Sequence, residues 1–213
     1  MLTIWGRTTS SNVQLVMWAV GELGLAHERI DAGHVYGGLD TEDYGAMNPN
    51  RLVPTLRDGD GPAIWESAAC LRYLAARYGD AAFWPADPAA RAVLDMWAEW
   101  MKTSFAPVLA TKVFWQMVRT PPEKRDPGTI LSGVAALKPL AQRLDARIGD
   151  GPWLGGAELS FADVMVGHLL YRYYSLDFDR AETPALDAYY ARLKARPAYA
   201  EHVMVSYEPL RAR

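Results

Sequence analysis

Two short stretches carry residues suited to holding a peptide-like ligand. The first is Asn50-Arg51-Leu52-Val53-Pro54-Thr55-Leu56, and Trp65-Glu66-Ser67 follows shortly after it. Proline has no N–H, so Pro54 fits the first position of a strand rather than its middle. If the Val53–Pro54 bond is cis, the turn faces the N–H and C=O of Val53 outward, ready to pair with an extended ligand. Glu66-Ser67 opens a helix, where free N–H groups and the dipole favour a carboxylate. A ligand with a peptide backbone and an α-carboxylate fits both features at once. A third stretch, Thr8-Thr9-Ser10-Ser11-Asn12, clusters hydroxyl and amide side chains ahead of another helix. Such residues cap helices, and a hydroxyl in that place can also donate to an anion.

These stretches need a scaffold, and the pattern supplies one. Leu2 to Trp5 is a short β-type run ended by Gly6. Residues 13–23 read as a helix, with Leu15, Val16, Ala19 and Leu23 as its apolar stripe and Gly24 as its stop. Glu28-Arg29-Ile30 is a second strand, giving βαβ. Residues 31–48 read as loop with one helical turn around 41–44. Pro54-Thr55-Leu56, the turn Asp58-Gly59-Asp60-Gly61 and Ala63-Ile64-Trp65 form an antiparallel hairpin, and a helix runs over 67–77. The order βαβ-α-ββα is that of a thioredoxin-like α/β domain, here residues 1–80. Gly79-Asp80 and Pro85-Ala86-Asp87-Pro88 mark a boundary. An all-helical domain follows over 89–213, with helices at 89–117, 129–148 and 164–174. Ser160-Phe161-Ala162-Asp163 has the capping-box form, with Leu159 and Val164 as its hydrophobic staple.

Asn-Pro-x-x-x-Val-Pro-x-Leu (48–56), then Glu66-Ser67 and a helix, resembles the glutathione site of the cytosolic glutathione S-transferases, and of their serine-type, theta- or beta-like bacterial members in particular. The resemblance extends over nearly the whole chain. It implies a detoxifying transferase that ionises the thiol of glutathione for attack on a hydrophobic electrophile, and a homodimer. In a thioredoxin-type domain the reactive thiol sits just after the first strand, at a helix N-terminus that lowers its pKa. This chain has Thr9, Ser10 and Ser11 there and no cysteine. Its one cysteine, Cys70, lies on the third helix beside Leu71, where it reads as a small buried hydrophobe. The thiol must therefore arrive with the ligand. Lowering its pKa from ~8.5 by two units needs about 2.7 kcal/mol, and one charge-assisted hydrogen bond supplies roughly 1.5–3 kcal/mol. The resemblance implies Ser10 or Ser11 as the donor, Ser10 first, with Asn12 and Arg7 as secondary candidates. It assigns Val53, beside Pro54, to the cysteinyl backbone, Glu66 to the γ-glutamyl amine and Ser67 to its carboxylate. Leu52 and Gln14 stand where many members have Lys and Arg, and Arg51 where Gly is frequent, so the glycyl carboxylate falls to Arg51 or His34. The electrophile pocket draws on Trp97, Trp100, Met101 and Trp115. Disulfide or peroxide reduction, dehalogenation, or a glutathione-binding scaffold without turnover are the alternatives.

Composition narrows the field further. Half of the 213 residues are apolar and 22% are charged, as in a soluble globular protein. A net charge of −3 gives no cationic face for nucleic acid. No apolar run approaches the ~18 residues that cross a bilayer, the start lacks a secretory layout, and a lone cysteine makes no internal disulfide. These features lead to the expectation of a cytoplasmic protein without membrane or nucleic-acid partners. Phosphate-cradling glycine motifs, H-E-x-x-H and C-x-x-C do not occur. His27, His34, His168 and His202 are scattered, so no metal is expected.

Overall fold

A computed structural model describes residues 1–212. The strands are β1 Leu2–Trp5, β2 His27–Ile30, β3 Thr55–Asp58 and β4 Ala63–Trp65, in the sheet order β2-β1-β3-β4. β1 pairs with β2 in parallel, with Leu2 opposite His27 and Trp5 opposite Ile30. β3 lies antiparallel on the other side of β1, with Leu56 opposite Ile4, and β4 closes the hairpin with Ile64 opposite Leu56. Helix α1 spans Ser11–Glu22, α2 Glu42–Met47 and α3 Ser67–Tyr78. The expected βαβ-α-ββα order is thus the observed one, and α2 is a fuller helix than a single turn because Thr41 caps it, its hydroxyl accepting from Tyr44 N–H at 3.2 Å.

The second half is helical: α4 Pro88–Trp100, α5 Pro127–Ile148, α6 Phe161–Gly167, α7 Leu170–Ser175, α8 Pro184–Lys194 and α9 Pro197–His202. α4 continues as wide π-type turns over Met101–Phe105 and Val108–Arg119. Pro107 lacks the N–H that an α-helix needs there. Thr103 and Thr111 also place their hydroxyls on the carbonyls of Glu99 and Pro107, at 2.8 and 2.7 Å, in competition with the backbone.

The expected helix over 164–174 is instead two helices, broken at His168 and Leu169. The His168 ring, through Nδ1, engages the Met165 carbonyl at 2.6 Å, an acceptor the helical ladder would otherwise use. The capping box at its start does form: Asp163 accepts from Ser160 N–H and the Ser160 hydroxyl, both at 2.8 Å.

One contiguous core joins both halves. α1 is buried along Val13 to Val20 because α3, α6 and α9 pack against it. Trp18 meets Tyr199 edge-on at 4.8 Å and passes the backbone of Gly167, where a Cβ would sit 2.7 Å from its ring. Only glycine lets α6 come this close. Burial of each large apolar side chain contributes about 1.5–3 kcal/mol, so the two halves hold one another and fix the loops between them.

Candidate functional site

The turn after β1 carries the hydroxyl cluster. Gly6 makes its course possible: a Cβ there would meet Val13 at 2.4 Å and Val53 at 3.3 Å, so the turn passes tightly against the Val53–Pro54 segment. Ser10 is the N-cap of α1. Its N–H donates to the Arg7 carbonyl at 3.2 Å and its carbonyl accepts from Gln14 at 2.9 Å. Its side chain makes no cap hydrogen bond, although the residue is only 9% exposed. A half-buried Ser11 starts the helix, and Asn12 is exposed next to it.

The Val53–Pro54 bond is cis. Its turn is held from behind by side chains that sequence reasoning passed over. Tyr44 and Asn48 both donate to the Leu52 carbonyl, at 2.7 and 2.9 Å, and both bond the Thr55 hydroxyl, at 2.9 and 3.1 Å. Asn48 Oδ1 also accepts from Asn50 N–H at 3.0 Å. The signal for Asn48 was present, since it is the first residue of the Asn-Pro motif. Tyr44 gave none beyond an aromatic near a helix end.

Across this turn lies the start of α3. Glu66 holds a positive φ of 67°, a conformation that a non-glycine residue adopts at a cost and that concentrates at functional sites. Ser67 is buried; its hydroxyl donates to Asn12 Oδ1 at 3.1 Å. Lys102, from the first π-type turns of the helical half, reaches the same hydroxyl at 3.4 Å. Its position in an apolar helix gave no hint of this. The cleft between turn and helix is lined by Asn12, Asn48, Leu52, Val53, Glu66 and Ser67, with Asn50 and Pro54 completing it. Six of the residues singled out from sequence thus meet in one place.

The others stand elsewhere. Arg51 donates through Nη1 to the carbonyls of Leu39 and Thr41, both at 2.9 Å, so its guanidinium braces the 39–45 segment. His34 is exposed in a short 3-10 turn, His34–Tyr36, with φ 56°. Trp97 and Trp100 pack edge to face at 5.4 Å, with Arg147 of α5 over Trp97. Met101 is sealed in the core, while Trp115 is 52% exposed. The four candidates of the electrophile pocket therefore do not share one open surface.

Cys70 is fully buried, and burial pushes its thiol up to about 12; a thiol held there is not a nucleophile at neutral pH. His168, also buried, is held down to about 3 by loss of solvent. Among the described residues no group of three or more His, Cys, Asp and Glu is arranged to hold a metal, and no helix is long and apolar enough to cross a membrane.

Comparison with known proteins gives consistent matches. The family model for the glutathione S-transferase N-terminal domain matches residues 9–77, and that for the C-terminal domain residues 113–192. Glutathione S-transferase GstB of Escherichia coli K12 is 36% identical over 206 residues, which cover 96% of this chain and 99% of that protein. The theta class glutathione S-transferase from the citrus canker pathogen Xanthomonas axonopodis pv. citri, solved with glutathione bound, is 42% identical with a TM-score of 0.90, over 96% of this chain and 98% of that one. The disulfide-bond oxidoreductase YfcG of E. coli K12 is 26% identical, over 83% of this chain and 82% of that protein.

Proposed function

The chain belongs to the glutathione S-transferase family and is a glutathione transferase, and from that premise we propose that Ser10 is the residue that ionises the thiol of bound glutathione. The observation that carries this is the Ser10 hydroxyl itself. It sits at the N-terminus of α1 without a cap bond to make, in the turn pressed against Val53, while the chain's one cysteine is sealed away. A hydroxyl donating to sulfur stabilises the thiolate over the thiol, and the helix end adds to it.

Glutathione would lie with its cysteinyl backbone on Val53 and its γ-glutamyl carboxylate on the N-terminus of α3. There Ser67 and the free N–H groups are the donors, and Lys102 adds a positive charge from the helical half. Glu66, exposed at the same edge, would take the γ-glutamyl amine. We place the division between the glutathione-binding domain and the helical domain between residues 80 and 89. A two-fold dimer through α3 and α4 fits the exposure of Val93 and Met96 on α4, at 47% and 61%, since a C2 interface buries the same patch twice. Sedimentation at micromolar concentration should give a dimer; a monomer removes that part of the reading.

A glutathione binding isotherm and turnover of a generic aryl halide test the function together. Binding with turnover is expected. Binding without turnover of any electrophile would make the protein a scaffold, and loss of both would end the proposal.

A further inference from the structure

Buried arginines normally face a carboxylate, because an uncompensated guanidinium is costly out of water. Arg72 pairs with Asp95 and Glu99, and Arg196 with Glu22, whereas Arg180 bonds only backbone carbonyls and the buried Arg57 Nε has no partner among the described residues. Arg7, Arg119 and Arg172 form a further set, in which Arg172 is buried, Arg7 half-buried and Arg119 exposed. Among the described residues, none of the three has a carboxylate within ion-pair distance. Arg172 is 8% exposed and makes one hydrogen bond, from Nη2 to the Thr9 carbonyl at 2.7 Å. Arg7 Nε is buried and has no partner. The groups are close enough to disfavour one another's charge. After the larger effect of burial, Arg119 lowers Arg7, and Arg7 and Arg119 help to hold Arg172 down to about 10.

Their place matters as much as their charge. Arg7 and Thr9 belong to the turn that carries Ser10, and the carbonyl of Arg7 holds the Ser10 N–H. Arg119 ends the π-type run. Apolar aromatic surface accompanies them: the Arg172 guanidinium lies 4.4 Å from the Phe114 ring centroid and that of Arg119 5.2 Å from the Trp115 ring. Three cations with no carboxylate partner among the described residues, two of them on aromatic rings, border the turn from which the sulfur is to be activated.

We propose that the electrophile of this transferase carries an anionic group, a carboxylate on an apolar or aromatic body, held by Arg7, Arg119 and Arg172. The inference rests on the reading of Ser10 as the thiol-activating residue. An arginine fork takes a carboxylate in a planar, two-point grip, and a bound anion relieves the repulsion among the three. The γ-glutamyl carboxylate of glutathione is not the ligand meant here, because its proposed donors are at Ser67. In the reaction the thiolate sulfur forms the new carbon–sulfur bond, the carbon–halogen bond breaks, the halide leaves with its electron pair, and the thiol proton goes to solvent.

The test uses a matched pair, 4-chloro-3,5-dinitrobenzoate and its carboxamide, with wild type and the exposed Arg119→Gln and Arg119→Lys variants. The readout is the ratio of the two kcat/KM values after subtraction of the uncatalysed rate. Wild type should favour the carboxylate by about tenfold or more, the worth of one charge-assisted hydrogen bond, and added salt should shrink the preference. Arg119→Gln should cut the ratio severalfold, and Arg119→Lys should restore part of it. A wild-type ratio at or below one overturns the inference while leaving the transferase reading intact. So does a ratio unchanged by Arg119→Gln, or a loss that falls equally on both substrates through a raised KM for glutathione. No turnover of either compound while a generic aryl halide is turned over overturns this inference alone; no turnover of any of the three sinks the proposed function with it.

Discussion

Replacing Ser10 with alanine separates the two jobs its hydroxyl can have. The backbone of Ser10 keeps both its hydrogen bonds in the variant, to the Arg7 carbonyl and from Gln14 N–H, and the side chain caps nothing. The fold should therefore lose less than the ~1 kcal/mol that removal of a working cap costs. If the hydroxyl carries ~1.4–2.7 kcal/mol of thiolate stabilisation, the pKa of bound glutathione rises by about one to two units. For a thiol at ~6.5 in the wild type, the thiolate fraction at neutral pH then falls about 3- to 25-fold, and the rate falls with it. The sign of the pH dependence is fixed. The fold-loss is largest below pH ~6.5, where it approaches about ten- to a hundredfold, is already smaller at neutrality, and closes above pH ~8.5, where the unassisted thiol ionises and its more basic thiolate is the stronger nucleophile. The ultraviolet band of the thiolate, followed against pH in the complex, reads the shift directly, and calorimetry should find glutathione bound nearly as tightly as before. An unchanged titration refutes the reasoning. If the melting temperature falls while the titration stays, Ser10 is a cap, and Ser11 or Thr9 inherits the experiment.

Three further outcomes follow from the same geometry. Ser67→Ala should weaken glutathione binding by about 1–3 kcal/mol, the cost of a charged partner short of one hydrogen bond; an unchanged isotherm removes Ser67 from the site. Lys102→Met should weaken it by about 1 kcal/mol, a charge-assisted contact discounted for solvent screening, and should reduce the salt sensitivity of binding. Equal affinity at low and high salt in both proteins would count against Lys102. His168 is held at about 3 in the fold against an ordinary 6.5, so the unfolded chain takes up its proton first. Stability from this residue is complete above pH ~6.5 and is lost as the pH falls below it. Thermal melts of His168→Gln should show a shallower acid limb than wild type, and parallel limbs would refute the assignment.

The fold was legible where local pattern and tertiary need agreed. The alternation in β1, the stripe of α1, the hairpin residues and the capping box at Ser160 each state their structure in a few neighbouring residues, and each formed. The misreadings share a cause. Residues 101–119 and 161–175 are apolar enough to be continuous α-helix by periodicity. Their departures come from side chains competing for backbone carbonyls: Thr103, Thr111 and the His168 ring. Such competition depends on rotamers and neighbours, which a periodicity count does not register. The cleft was legible for the same reason the hairpin was, because Val53, Pro54, Glu66 and Ser67 lie within fifteen positions of one another.

The cations that the helical half brings to the site were not legible, and their location says how this chain is built. Gln14 and Leu52 bring no charge to the positions where the resemblance implied Arg and Lys. In the fold Gln14 serves the turn as a neutral donor, its Nε2 on the Thr8 carbonyl at 2.8 Å. Charge arrives from the other half: Lys102 on Ser67 and Arg172 on Thr9, the latter 163 positions away in the chain. No local motif can encode such a contact, because it exists only once Trp18 has docked against Gly167 and fixed α6 and α7 over the turn. It follows that changes at the domain contact should reach the chemistry. A Cβ at position 167 would have to displace the Trp18 ring, and shifting α7 by even an ångström would draw Arg172 off the Thr9 carbonyl, loosening the turn that aims Ser10. Gly167→Ala should therefore lower the rate more than it lowers glutathione affinity, since Val53 and Glu66 are seated on the sheet half. Steady-state rates set beside a glutathione isotherm would show this, and equal losses in both would refute it.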